Sequence, residues 1–152
     1  MTIAIALFQP DIPQNTGTIA RLCACMGSEL HIIEPAGFPV TEKAFRRAGM
    51  DYIQNVDMKR HMNFDAFLEN MTDEGRRVIL VTTKASLPHI DYTFKQDDVL
   101  LFGRESSGVP EIVHQTLTEK VTIPMKNEMR SLNLAVSAGM LLNEALRQTK
   151  GF

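Results

Sequence analysis

The sequence predicts an α/β protein with a parallel sheet carrying helices on both faces. Val78 to Thr82 (VILVT) and Val99 to Phe102 (VLLF) are apolar without alternation, as strands covered on both faces read. Strand and helix signals also alternate along the whole chain, the pattern of consecutive β-α-β units. At 152 residues the chain fits one domain, 1–152, with enough length to bury a sizeable core.

Thr2 to Phe8 (TIAIALF) is rich in β-formers and opens the sheet. Asn15-Thr16 is the expected N-cap of TGTIARLCACM, and Gly27 its stop. Leu30 to Ile33 is a second strand, halted by Glu34-Pro35. Thr41 caps EKAFRRAGM, and Asp65 to Leu68 belongs to a further helix. Pro110 opens a short helix to Leu117, and Lys120 to Ile123 is the last strand. Ser131 is the expected cap of a long final helix. Its Leu134, Ala138, Leu141, Leu142, Ala145 and Leu146 form an apolar stripe at helical spacing.

The apolar share of 44% and charged share of 22% are those of an ordinary globular protein. No apolar run approaches the roughly 20 residues of a membrane span. The N-terminus lacks the basic start of a signal peptide. Cys23 and Cys25 lie two apart on a helix and do not face each other, so no disulfide is expected and a reducing cytoplasm fits. His31, His61, His89 and His114 show no ligand spacing, so the expectation is no metal, with buried cysteines and surface histidines. A net charge of −2 speaks against coating nucleic acid by bulk charge, while leaving room for a local basic patch.

The nucleotide fingerprints GxGxxG and GxxxxGK[ST] are absent. Instead VLLF breaks into Gly103-Arg104-Glu105-Ser106-Ser107-Gly108, a charged loop bracketed by glycines at the carboxyl end of a core strand. That is where open α/β sheets bind ligands.

PDIPQNTGTIARLCACMG, LLFGRESSGVPE and VTIPMKNEMRSLNLAVSAG resemble, in that order, the three motifs of the SPOUT class of RNA methyltransferases. LHIIEPAGF and FRRAGMDY resemble its subgroup of short, single-domain enzymes that methylate the wobble ribose of tRNA. The resemblance spans essentially the whole chain. It implies S-adenosylmethionine as methyl donor, S-adenosylhomocysteine as product, and a deep C-terminal trefoil knot around the donor site. A homodimer with active sites near the subunit interface, and tRNA as partner, follow from it too.

By this resemblance Gly103 lets backbone approach the donor's adenosine, since glycine has no Cβ. Val81 and Ile123 match further donor-contacting positions, and Ser131, Leu132 and Asn133 match the third motif. Arg21 is the matching catalytic candidate, with Asn15 to orient it. A guanidinium stays protonated in proteins, so Arg21 suits stabilising the developing alkoxide and anchoring a phosphate. Glu105 is a candidate either to accept the hydroxyl proton, directly or through water, or to orient Arg21. Lys43, Arg46 and Arg47 share one helical face, and Lys84, Arg104, Lys126 and Arg130 sit in or beside the motif loops. Together they make a candidate RNA-binding rim, although a solvated helix face explains the first cluster equally well. The sequence offers few aromatics for stacking on bases, with Phe38 and Tyr52 as candidates.

The chain departs from the pattern at Arg104-Glu105-Ser106-Ser107, where some members carry Pro-Glu-Thr-Arg. It departs again at Asn143, where an aromatic is common. Two rival readings remain: the same chemistry on another RNA such as ribosomal RNA, and a knotted RNA-binding factor without catalysis. Intact Arg21, Glu105 and Asn133 count against the second.

Overall fold

Among the described residues, six parallel strands form one sheet in the order β3-β2-β1-β5-β4-β6. The structure is a computed structural model that describes residues 2–47, 55–126 and 132–152, with Glu42, Arg46 and Arg47 described in their backbone only. The strands are β1 (Ala4–Phe8), β2 (Glu29–Ile33), β3 (Asp57–His61), β4 (Val78–Val81), β5 (Val99–Phe102) and β6 (Lys120–Val121). The helices are α1 (Pro13–Met26), α2 (Glu42–Arg47), α3 (Phe64–Asp73), α4 (Glu111–Thr116) and α5 (Leu134–Thr149).

Alternate strand residues feed two cores. Ile5, Leu7, Leu100 and Phe102 pack with Ile19 and Cys23 of α1 and Leu141 and Leu142 of α5. Ala4, Ala6, Phe8, Val99 and Leu101 pack with Phe67 and Met71 of α3 and Val113 of α4. Both faces are therefore covered, which is why the central strands read as continuous apolar runs. The expected stripe of α5 is buried from Ala138 to Leu146. Truncating such a leucine to alanine typically costs about 2–5 kcal/mol.

Local expectations fail where partners are distant or masked by polarity. β3 escapes the sequence because DMKRH is polar and mostly exposed, as an edge strand is. α1 begins at Pro13, earlier than Asn15-Thr16, and Ile12 at its N-cap makes no side-chain cap. α5 is capped by Asn133, whose Oδ1 accepts from the N–H groups of Ala135 (2.8 Å) and Val136 (3.2 Å). Ser131 lies outside the described residues. β6 stops at Val121, and Thr122 pairs instead with Pro88 of the β4–β5 crossover.

The histidines correct the expectation of a surface location: all four are buried. Cys23 is buried and Cys25 exposed, both as free thiols. His31 on β2 and His61 on β3 face α3 and join a polar chain inside the second core. Arg76 donates to both carboxylate oxygens of Glu29 at 3.2 and 3.0 Å. His31 Nε2 lies 3.0 Å from Glu29, and its Nδ1 lies 2.8 Å from His61 Nε2. Asn70 Nδ2 closes the chain 3.2 Å from His61 Nδ1. A carboxylate can only accept, so His31 Nε2 donates to it, Nδ1 accepts from His61, and His61 Nδ1 accepts from Asn70. Both rings are then neutral and fully bonded.

Burial lowers the proton affinity of both rings, and the neighbouring His31 takes His61 down further, from the usual 6.5 to about 4. Between those values the unfolded chain binds more protons than the folded one. The stability held by this pair is complete above pH 6.5 and is lost as pH falls toward 4. Thermal melting should show a midpoint that drops across this window. His61→Gln, which keeps a donor for His31 but does not titrate, should flatten the drop. An equally steep fall in that variant would place the titration elsewhere.

Candidate active site

The loops that follow β4, β5 and β6 meet the start of α5 at the carboxyl edge of the sheet, around a cavity of about 510 Å³. Small-molecule sites typically measure about 300–1,000 Å³. Leu80, Val81, Phe102 and Ile123 give it apolar walls; Asn15, Asn133, Lys84, Arg104, Glu105 and Ser106 supply the polar ones. Apolar walls beside a few polar residues suit a flat heteroaromatic ring with a polar edge, such as adenine.

The loop after β5 is closed on itself. Arg104 N–H donates to Gly108 O, and Gly108 N–H to Arg104 O, both at 2.9 Å. Gly108 has a φ of +68°, and an added Cβ on Gly103 would lie 2.6 Å from the Gly108 carbonyl carbon. Gly103 is thus required by the loop's own backbone, a constraint closer at hand than the approach of a ligand.

The same loop grips the segment ahead of α1. Glu105 accepts the N–H of Ile12 at 2.7 Å and that of Asp11 at 3.4 Å, so its carboxylate is engaged by backbone amides. Asn133 Nδ2 donates to Asn15 Oδ1 at 3.2 Å, tying α5 to α1 beside the cavity.

Of the residues singled out by sequence, Asn15, Val81, Lys84, Gly103, Arg104, Glu105, Ile123, Leu132 and Asn133 line this cavity together. Arg21 is exposed on α1 and is not among the lining residues. Lys126 and Lys43 are exposed. Arg130, Ser131 and Tyr52, and the side chains of Arg46 and Arg47, lie outside the described residues. Phe38 packs edge-on against Phe45, ring centroids 6.1 Å apart, as part of the core margin.

Sequence reasoning missed His114, which lines the cavity from α4. Burial lowers its proton affinity, and Lys84 and Lys120 push the same way against Glu111. Its place one turn before buried Leu117 was the available signal. Among the described residues no group of three or more His, Cys, Asp or Glu side chains is arranged to hold a metal ion. No helix among them is long and apolar enough to cross a membrane.

Residues 2–143 match the SpoU rRNA Methylase family. A tRNA (cytidine(34)-2'-O)-methyltransferase of Beijerinckia indica subsp. indica is 59% identical over 144 residues, 95% of this chain and 90% of the relative. A solved structure described as giving insight into the 2-OH methylation of C/U34 on tRNA superposes with a TM-score of 0.91 at 41% identity, covering 99% of this chain and 98% of that one. An AdoMet-bound rRNA methyltransferase from Sinorhizobium meliloti gives a TM-score of 0.84 at 26% identity, covering 96% of this chain and 56% of that one.

Proposed function

The chain belongs to the SpoU rRNA methylase family, and we propose that it methylates the ribose 2′-hydroxyl of the wobble nucleotide, cytidine or uridine 34, of tRNA. The observation that carries this reading is the convergence of the three sequence motifs on one cavity of donor size. S-adenosylmethionine supplies an electrophilic methyl: the 2′-oxygen bonds to it as the carbon–sulfur bond breaks, leaving S-adenosylhomocysteine and a proton.

The residues of the chain divide the remaining work. Val81, Phe102 and Ile123 hold the adenosine part and exclude water from it. Gly103 keeps the loop shut, while Leu132 and Asn133 close the wall at the start of α5, and Ser131 is a further candidate to contact the donor. Asn15 borders the reacting side, and Arg21 stabilises charge on the attacking oxygen. Lys84, Lys126, Arg130, Arg46 and Arg47 contribute the phosphate contacts that hold RNA.

The C-terminal segment is threaded as a trefoil knot. In support, Thr122 pairs with Leu87 and His89 on one side of the β4–β5 crossover, and Gln148 of α5 bonds Tyr92 and Phe94 on it. The protein works in the cytoplasm as a homodimer.

For the dimer, Val136 and Met140 lie four apart and exposed on α5, and Leu132 just ahead of that helix and Ile12 at the start of α1 are exposed as well. A second copy of the chain would cover this face with its own equivalent. Sedimentation should give twice the 17.0 kDa chain mass. Val136→Glu, placing a charge in the stripe, should shift the protein to monomer; a variant that stays dimeric would move the interface to another face.

The reading is tested by incubating the protein with methyl-labelled donor and total RNA, then mapping the label. Label at the 2′-oxygen of nucleotide 34 of tRNA is the expected result. Label confined to ribosomal RNA, or no transfer, would overturn it.

A further inference from the structure

Asp11 is given no role by the reading above, yet three consecutive residues of the loop after β5 converge on it and its neighbour. Ser106 Oγ donates to Asp11 Oδ2. Arg104 Nη2 lies 3.5 Å from the same oxygen. Between them, Glu105 takes the backbone N–H groups of Asp11 and Ile12. The far side is closed as well. Gly37 N–H donates to Pro10 O at 2.8 Å, and a Cβ on Gly37 would come within 3.0 Å of Asp11 Cα and Cβ. The aspartate therefore has little room to move.

Two further atoms show what this contact lacks. Asp11 Oδ1 and Arg104 Nε are buried and have no hydrogen-bond partner among the described residues. They are the atoms a two-pronged carboxylate–guanidinium pair would use. The hydrogen bond from Ser106 and the charge of Arg104 hold the Asp11 carboxyl below its usual range, against the opposing effect of burial. It remains an anion at neutral pH.

What the contact joins gives it a function. The loop from Gly103 to Gly108 is a wall of the donor cavity, whereas Asp11 leads directly into α1, which carries Asn15 and Arg21. β1 and β5 are neighbours in the sheet, so both segments leave its carboxyl edge side by side with nothing in the strands to set their spacing beyond that point. We propose that Asp11 is a positioning residue that clasps the donor-binding loop to the helix carrying the ribose-side residues. The clasp sets the line between the methyl group and the attacking oxygen. This rests on the methyl-transfer reading.

Misalignment by about 1 Å can cost about 10²-fold in rate. Under single-turnover conditions with saturating donor and tRNA, Asp11→Ala should transfer methyl groups about 10- to 100-fold more slowly. Its calorimetric affinity for S-adenosylmethionine and its melting temperature should stay near those of the wild type. Asp11→Asn keeps an acceptor for Ser106 but loses the charge facing Arg104, and should fall between the two. Ser106→Ala should slow the rate as well, and its effect should shrink in the Asp11→Ala background because both act through one contact.

A normal rate in Asp11→Ala overturns the proposal. So does a loss of rate seen only below donor saturation, which would reduce Asp11 to part of the pocket wall, or a loss that merely follows a fall in melting temperature. Wild-type protein that methylates no tRNA under the same conditions would instead sink the reading on which the clasp rests.

Discussion

Arg21→Ala should slow methyl transfer by about 10²–10³ while binding S-adenosylmethionine as the wild type does. That is the usual cost of deleting one donor aimed at charge that develops only in the transition state. The separation of effects follows from geometry: Arg21 stands on α1 outside the lining of the donor cavity, so donor binding does not sample it. An interaction absent from the ground state lowers the chemical step alone. Arg21→Lys retains the charge but loses the planar fork, and should recover little of the rate. Single-turnover transfer to tRNA is the measurement. A normal rate at saturating tRNA with weakened tRNA binding would make Arg21 a phosphate anchor, and full activity in both variants would remove it from the mechanism.

Gly103→Val should weaken donor binding by about 10- to 100-fold, the equivalent of the ~1–3 kcal/mol typical of overpacking. A Cβ at this position meets Gly108 Cα at 2.7 Å and Val109 N at 2.9 Å, besides the carbonyl carbon. All three contacts are backbone, so no rotamer change relieves them; the loop must open, and a cavity wall goes with it. Calorimetry with S-adenosylmethionine measures the loss, and far-ultraviolet circular dichroism should show the sheet intact because β5 itself is buried on both faces. Gly103→Ala should show the same defect in smaller measure. Undiminished binding would mean that the loop does not wall the donor site.

Much of this molecule is legible without coordinates. The apolar runs of β4 and β5, the stripe of α5 and the stop at Gly27 follow from burial and backbone preferences that act over a few residues. The proposal that the loop after β5 binds the donor came from ordered motifs rather than from periodicity. Expectations went astray where an element's partner is remote. Ile12 heads α1 without a capping side chain, and its own N–H goes to Glu105, 93 residues away. The histidines looked scattered, yet the pairing of β2 with β3 brings His31 and His61, 30 residues apart, within 2.8 Å. β3 itself is polar and shows no strand pattern until its neighbour is known.

The sequence by itself determined the class of fold, the apolar runs of its central strands and the buried stripe of its last helix. Those properties depend on how apolar groups are spaced within a few residues of one another. The tertiary structure decided the order β3-β2-β1-β5-β4-β6 and, through it, which loops stand together. That order sets β1 beside β5, so Asp11 meets Ser106 across 95 residues, and the loops meet Asn133, 118 residues beyond Asn15. Such contacts form because burying both faces of the sheet leaves the chain little choice of path, and no pattern within a window of sequence records that choice.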